Sequence, residues 1–87
     1  MTYNPDTVFL PGETLKEMME ERSLSYTQLG HDSGIGKLSV MDICAGIAPI
    51  TQEIAERLEK YFNVPAVFWL ALESNYQQWL RNKNNGT

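Results

Sequence analysis

Two short helical patterns, separated by a glycine turn, constrain this chain more than any other feature of its sequence. Ser25 is suited to cap the first helix, because Gln28 follows it at the spacing of a capping box. That helix is predicted from Tyr26 to about residue 32, where Gly34 supplies the left-handed conformation that reverses a helix end. The second helix is predicted over residues 37–44. The segment therefore predicts a pair of helices with a tight corner between them.

The flanking segments predict three further helices. Pro11 opens a pattern of apolar residues at three- and four-residue spacing, Thr51 caps another, and Pro65 favours the start of a last one. We therefore expect an all-α domain over residues 11–81, a five-helix bundle. An extended segment is expected over residues 1–10 and a flexible tail over residues 82–87.

The composition provides few of the residues that usually take part in catalysis or metal binding. The 87 residues suffice for one domain and carry a formal net charge of −4. Cys44 is the only cysteine and His31 the only histidine, so neither a CxxC metal site nor an HExxH pair is present. We expect a cytoplasmic protein that is not an enzyme and needs no cofactor or metal. We also expect no membrane association, because no apolar run is long enough to span a bilayer.

The corner between the two short helices has the sequence form of a helix-turn-helix. Further pieces of a known pattern surround it, and they extend over nearly the whole chain: Pro11-Gly12-Glu13, Leu15-Lys16-Glu17, Glu21-Arg22, Leu24-Ser25, Leu29, Gly34-Ile35, Ile43, Gly46, Pro49-Ile50-Thr51, Ala55, Leu58, Val64-Pro65, Phe68-Trp69-Leu70 and Leu72-Glu73. With these pieces the chain closely resembles the HigA/VapI-like antitoxin group of the Cro/repressor-type (XRE) helix-turn-helix family.

The resemblance implies a lambda-repressor-like DNA-binding fold that forms a homodimer. It also implies an antitoxin-type autorepressor, which binds double-stranded operator DNA near its own promoter and neutralises a toxin encoded beside it. Similar domains also pair with zinc-peptidase-like proteins, so a partner protein of that kind is a further expectation.

The predicted DNA-reading helix departs from this family. Lys37 is the only cation between residues 33 and 56, whereas the family usually has several basic and polar side chains there. If the helix reads bases, the side chains that face them are Lys37, Leu38, Ser39, Met41 and Asp42. The expected phosphate contacts come from Tyr26, Thr27 and Arg57.

A second hypothesis follows from the same departure, since apolar side chains stand where solvated ones are expected. Such surfaces often bind proteins. In this alternative the chain is a helix-turn-helix scaffold with weakened DNA binding. Its partner surface is formed by Leu38, Met41, Ile47 and Ala48, with the run Val8-Phe9-Leu10 as another candidate.

The last predicted helix carries a heptad-like series of large side chains, Trp69, Leu72, Tyr76 and Trp79. Phe68 and Leu72 are predicted to belong to the core of the domain. Tyr76, Trp79 and Leu80 lie beyond the part that a small bundle can cover, and we expect them to form a two-fold dimer contact.

Overall fold

In the computed structural model, residues 10–84 are described, and they form five α-helices: α1 (Pro11–Glu21), α2 (Tyr26–Ser33), α3 (Lys37–Cys44), α4 (Gln52–Phe62) and α5 (Ala66–Asn84). This part of the chain contains no strand, and the all-α, five-helix prediction is confirmed. The predicted extended segment lies outside the described residues except for Leu10. Helix α5 continues to Asn84, and so includes the first three residues of the predicted tail. No helix between residues 10 and 84 is both long and apolar enough to cross a membrane.

The ends of the short helices are formed as the sequence predicts. The Ser25 hydroxyl accepts a hydrogen bond from the backbone N–H of Gln28 at 3.0 Å, which satisfies one of the free donors in the first turn of α2. The hydroxyl of Thr51 does the same for Ile54 at the start of α4, at 3.3 Å. Gly34 has a φ of 79° and ends α2. Gly34 therefore marks where the corner between α2 and α3 begins.

Within the described residues, the core consists of ten buried apolar side chains drawn from all five helices and from the loop before α4: Leu15, Met19, Leu29, Val40, Ile43, Ile50, Ala55, Leu58, Phe62 and Trp69. Trp69 is fully buried, and its ring lies 6.2 Å from that of Phe62 between centroids. The prediction that Phe68 belongs to the core is wrong, because this side chain is 42% exposed. Trp69 faces inward instead, and Phe68, one residue before it on the helix, is turned about 100° away. Leu72 is half-buried against the core, as predicted.

A glycine allows α2 to cross closely over the start of α3. A Cβ atom at Gly30 would overlap the backbone nitrogen of Lys37. The backbone N–H of Gly36 donates to the carbonyl of Gly30 at 3.0 Å across the same crossing. Gly12 plays a similar part in α1, where a Cβ would overlap the backbone at Ile43. The backbones of α1 and α2 therefore pack directly against α3. The side of α3 that faces away from both helices is left uncovered.

Candidate nucleic-acid interface

One side of α3 is exposed along its whole length. Leu38, Met41, Asp42 and Ala45 are all exposed and follow one another at the i, i+3, i+4, i+7 spacing of a single helix face. We call these four residues the outer stripe. Val40 and Ile43 lie on the opposite side and are buried. The two apolar side chains at the start of the outer stripe are well exposed, Leu38 at 74% and Met41 at 38%. The core thus anchors α3 and presents this stripe to whatever the protein binds.

The charge on α3 is balanced. Lys37 is exposed in the first turn, Asp42 is exposed in the outer stripe, and Ser39 is exposed between them. The helix has no Arg, Asn or Gln, the residues that most often pair with purine edges in the major groove. All five side chains predicted to face bases are therefore exposed on α3, and only Lys37 offers a hydrogen-bond donor with a charge.

Two side chains with a hydroxyl stand at the N-terminus of α2. Thr27 is exposed, whereas Tyr26 is half-buried and its side chain packs against the core. Backbone N–H groups at a helix N-terminus favour anions, because the helix dipole adds to their donor strength. Thr27 and the first turn of α2 therefore suit a phosphate contact, and the predicted phosphate contact of the Tyr26 hydroxyl stays a prediction.

Arg57 already has partners within the chain. Its guanidinium Nη2 donates to a Glu53 carboxylate oxygen at 3.1 Å, and Nη1 lies 3.5 Å from the carbonyl oxygen of Ser33 at the end of α2. The side chain is 42% exposed. Arg57 therefore tethers α4 to the end of α2. The predicted phosphate contact of Arg57 stays a prediction. Sequence reasoning missed this role, although the i, i+4 spacing of Glu53 and Arg57 was a usable signal.

The alternative protein-binding surface is only partly exposed. Ile47, in the loop after α3, is 76% exposed, but Ala48 is half-buried and packs against the core. Leu38, Met41 and Ile47 therefore remain as the exposed members of that prediction. Its other candidate, Val8-Phe9-Leu10, lies outside the described residues except for Leu10.

The residues predicted to form a dimer contact are half-buried in the single chain. The rings of Tyr76 and Trp79 are stacked, with centroids 6.2 Å apart and planes 18° apart. Tyr76 and Leu80 also line a cleft of about 300 Å³ between α5, the start of α1 and the loop after α3. The cleft is open and mainly apolar in its lining residues, so these side chains are accessible to a second chain.

Histidine and cysteine are the residue types most often found in catalytic and metal sites, and neither His31 nor Cys44 belongs to a group of potential metal ligands among the described residues. His31 is exposed, and its Nδ1 lies 3.2 Å from a carboxylate oxygen of Asp32. Cys44 is half-buried beside the Met19 sulfur, at 4.0 Å. Burial raises the pKa of the Cys44 thiol, and the charge of Lys16 offsets only part of that rise. The thiol is therefore less reactive than a free cysteine.

Comparisons with known proteins agree with this geometry. The helix-turn-helix family model (HTH_3) matches residues 15–69. A Pseudomonas aeruginosa protein solved in complex with its 18-base-pair operator DNA is similar in structure, with a TM-score of 0.86 and 31% identity over 92% of this chain and 87% of that one. The Pseudomonas aeruginosa antitoxin HigA, solved with the higBA promoter, has a TM-score of 0.87 at 31% identity, covering 92% and 88% of the two chains.

Two further relatives extend the comparison. An addiction module antidote protein of a HigA family from Coxiella burnetii has a TM-score of 0.83 and 33% identity, over 90% of this chain and 86% of that one. An HTH-type transcriptional regulatory protein of Methanoregula boonei is 35% identical over 60 residues, which are 69% of this chain. The chain spans only 19% of the length of that curated relative.

Proposed function

Because the chain belongs to the helix-turn-helix family, with α2 and α3 as its two characteristic helices, we propose that it is a sequence-specific DNA-binding transcriptional regulator. Its role is that of an antitoxin-type autorepressor within a toxin–antitoxin module. The family is one of regulators, not a class of enzymes, and we propose no catalytic activity for this chain.

One observation carries the proposal. The outer stripe of α3 is exposed along its whole length on a helix that the core and two glycine contacts hold in place. In helix-turn-helix proteins the second helix enters the major groove and the first crosses the phosphate backbone. Two structures that are similar to this chain over most of both lengths were solved with operator or promoter DNA. Their likeness supports the same docking of α3 in this protein.

The residues divide between two kinds of contact in this proposal. Lys37, Leu38, Ser39, Met41 and Asp42 face base edges from α3. Thr27 and the first turn of α2 contact the phosphate backbone, where contacts fix register without reading sequence. Arg57 joins them through the guanidinium N–H groups that Glu53 and Ser33 do not use. With so few cations at the interface, the sequence-independent part of the affinity is small, and the base contacts carry more of the binding than in a basic repressor.

Helix-turn-helix regulators commonly bind as dimers to two half-sites of an operator. We propose a homodimer in which Tyr76, Trp79 and Leu80 of α5 pair across a two-fold axis, beside the apolar cleft. Their half-exposed, large side chains support this assignment, since aromatic side chains are enriched at interface centres. Analytical ultracentrifugation tests it: Trp79→Ala should shift the equilibrium toward monomer, whereas Val67→Ala, on the same helix, should not.

The function itself is tested by fluorescence anisotropy. Purified protein is titrated against duplex DNA from its own upstream region, with a scrambled duplex as control, at about 50 to 200 mM salt. Tighter binding to the upstream duplex, weakened by salt, supports the regulator. Equal or absent binding at the lowest salt contradicts it.

A second candidate function rests on the exposure of Leu38 and Ile47, which are the two most exposed large apolar side chains of the described residues. If the toxin or another protein binds this surface, Met41→Asp with Ile47→Asp should abolish capture of that partner without unfolding the domain. Capture by the double variant would rule the surface out.

A further inference from the structure

Resting on the proposed DNA-binding function, we propose that α3 recognises its operator chiefly by the 5-methyl groups of thymine, with Leu38 and Met41 as the residues that contact them.

The two side chains are placed to touch neighbouring bases. Leu38 and Met41 are three residues apart on the exposed side of α3, so their Cβ atoms lie roughly 5–6 Å from each other. Stacked bases on one strand are about 3.4 Å apart. A helix that lies in the major groove with this stripe inward therefore brings the two side chains over one or two successive base steps.

The polar alternatives on α3 are few. Guanine is usually read by Arg or Lys and adenine by Asn or Gln, and α3 has only Lys37 from these four types. Lys37 lies in the first turn, outside the outer stripe. Asp42 is the one polar member of the stripe, and a carboxylate accepts hydrogen bonds only, which suits the amino group of cytosine. The stripe therefore offers no donor to N7 of adenine or guanine, and Asp42 is its one acceptor for an amino group of adenine or cytosine.

Among the four bases, thymine alone has an apolar group in the major groove. Leu38 is 74% exposed in the free protein, so a methyl contact removes apolar surface from water on both partners. Against any other base, the same side chains would cover a polar edge and deprive it of its hydrogen bonds to water. Both effects favour thymine beneath Leu38 and Met41.

Deoxyuridine tests the inference directly, because it differs from thymidine only by the missing methyl group. The upstream duplex is prepared with all thymines and again with every thymine replaced by deoxyuridine, which preserves pairing and phosphate charge. We expect the protein to bind the uracil duplex roughly fourfold more weakly for each methyl lost from the interface. The salt dependence should stay the same, since no phosphate contact changes.

Variants show whether the discrimination comes from side-chain contacts with the methyl groups or from the shape of the DNA. The double variant Leu38→Ala, Met41→Ala should lose most of the discrimination between the two duplexes, because each alanine leaves only a β-methyl group to contact the thymine methyl groups. Both side chains are exposed and alanine favours helix, so the variant should fold, which circular dichroism checks. Val67→Ala, which removes a side chain 73% exposed on α5, is the matched control and should discriminate as the unmodified protein does.

Each outcome has a distinct meaning. Equal binding of the two duplexes by the unmodified protein overturns the thymine inference and leaves the regulator intact. Undiminished discrimination by the double variant also overturns it, because the difference then arises from DNA shape. If the upstream duplex binds no better than the scrambled one, the proposed function itself fails, and this inference fails with it.

Discussion

A carboxylate oxygen of Glu73, on α5, accepts a hydrogen bond of 2.9 Å from the backbone N–H of Ile50, in the loop between α3 and α4. The Ile50 side chain is buried in the core, so the loop is fixed by its side chain and by its backbone together. The other oxygen of Glu73 accepts from the Gln77 side chain at 2.6 Å. The last helix thereby secures the loop that follows α3.

Replacing this carboxylate should destabilise the domain. We expect Glu73→Ala to lower the free energy of unfolding by about 1–2 kcal/mol, because the N–H of Ile50 loses a charged acceptor in a partly buried place. Glu73→Gln retains a carbonyl oxygen and should lose less. Urea unfolding measures both, and a Glu73→Ala variant as stable as the unmodified protein would show that the hydrogen bond contributes nothing.

The crossing of α2 over α3 should tolerate no side chain at Gly30. Gly30→Ala forces a Cβ against the backbone of Lys37, and we expect it to cost about 2–3 kcal/mol. Gly46→Ala is the control, since open space surrounds Gly46 and only its φ of 79° opposes alanine, at about 1 kcal/mol. Thermal unfolding should rank the two variants in that order, and the reverse order would contradict the close crossing.

Lys37, the single cation of α3, should contribute measurably to the affinity for DNA. Lys37→Ala is expected to weaken binding to the upstream duplex and to reduce the slope of log affinity against log salt by about one unit. Arg81→Ala, which removes an equal charge from the far end of α5, should change the slope less. An unchanged affinity and slope for Lys37→Ala would remove this residue from the DNA interface.

The Cys44 thiol should react slowly. Its pKa is raised by burial, so at any neutral or mildly alkaline pH a smaller fraction is thiolate, the form that reacts. Alkylation by iodoacetamide should therefore be slower in the folded protein than in denaturant. The rate for the folded protein should also rise at a higher pH than the rate for the unfolded protein. Because folding disfavours the thiolate, Cys44 contributes stability below the ordinary thiol pKa that is lost as pH rises through the raised value. Coincident rate curves for the folded and unfolded protein would contradict this.

Local signals predicted the elements of the fold well. Ser25 and Thr51 are capping residues whose effect depends on a few neighbours, and both accept the bonds that their positions predict. The burial of Val40 and Ile43 likewise follows from helical spacing alone. The exposed residues of α3 could be identified for the same reason, since the side opposite a buried face is exposed unless another element covers it.

Properties that depend on a distant partner could not be predicted in this way. Phe68 and Trp69 are adjacent, and both have apolar residues three or four positions away, so spacing does not decide which faces inward. Packing against Phe62 on another helix decides it. Arg57 was recognised as a cation, but its approach to Ser33 depends on how α4 lies against α2. The hydrogen bond of Glu73 joins residues 23 positions apart and has no local signal.

The burial of Trp69 gives the protein an optical reporter of its own. The indole is fully buried, and its N–H has no hydrogen-bond partner among residues 10–84, so it emits from a dry, apolar environment. Trp79 stands half-exposed on the same helix, where a second chain would cover it. Blue-shifted emission from Trp69 should therefore follow folding, and in the proposed homodimer the emission from Trp79 should follow assembly. With Trp79→Phe and Trp69→Phe to separate their spectra, both processes become visible without a label.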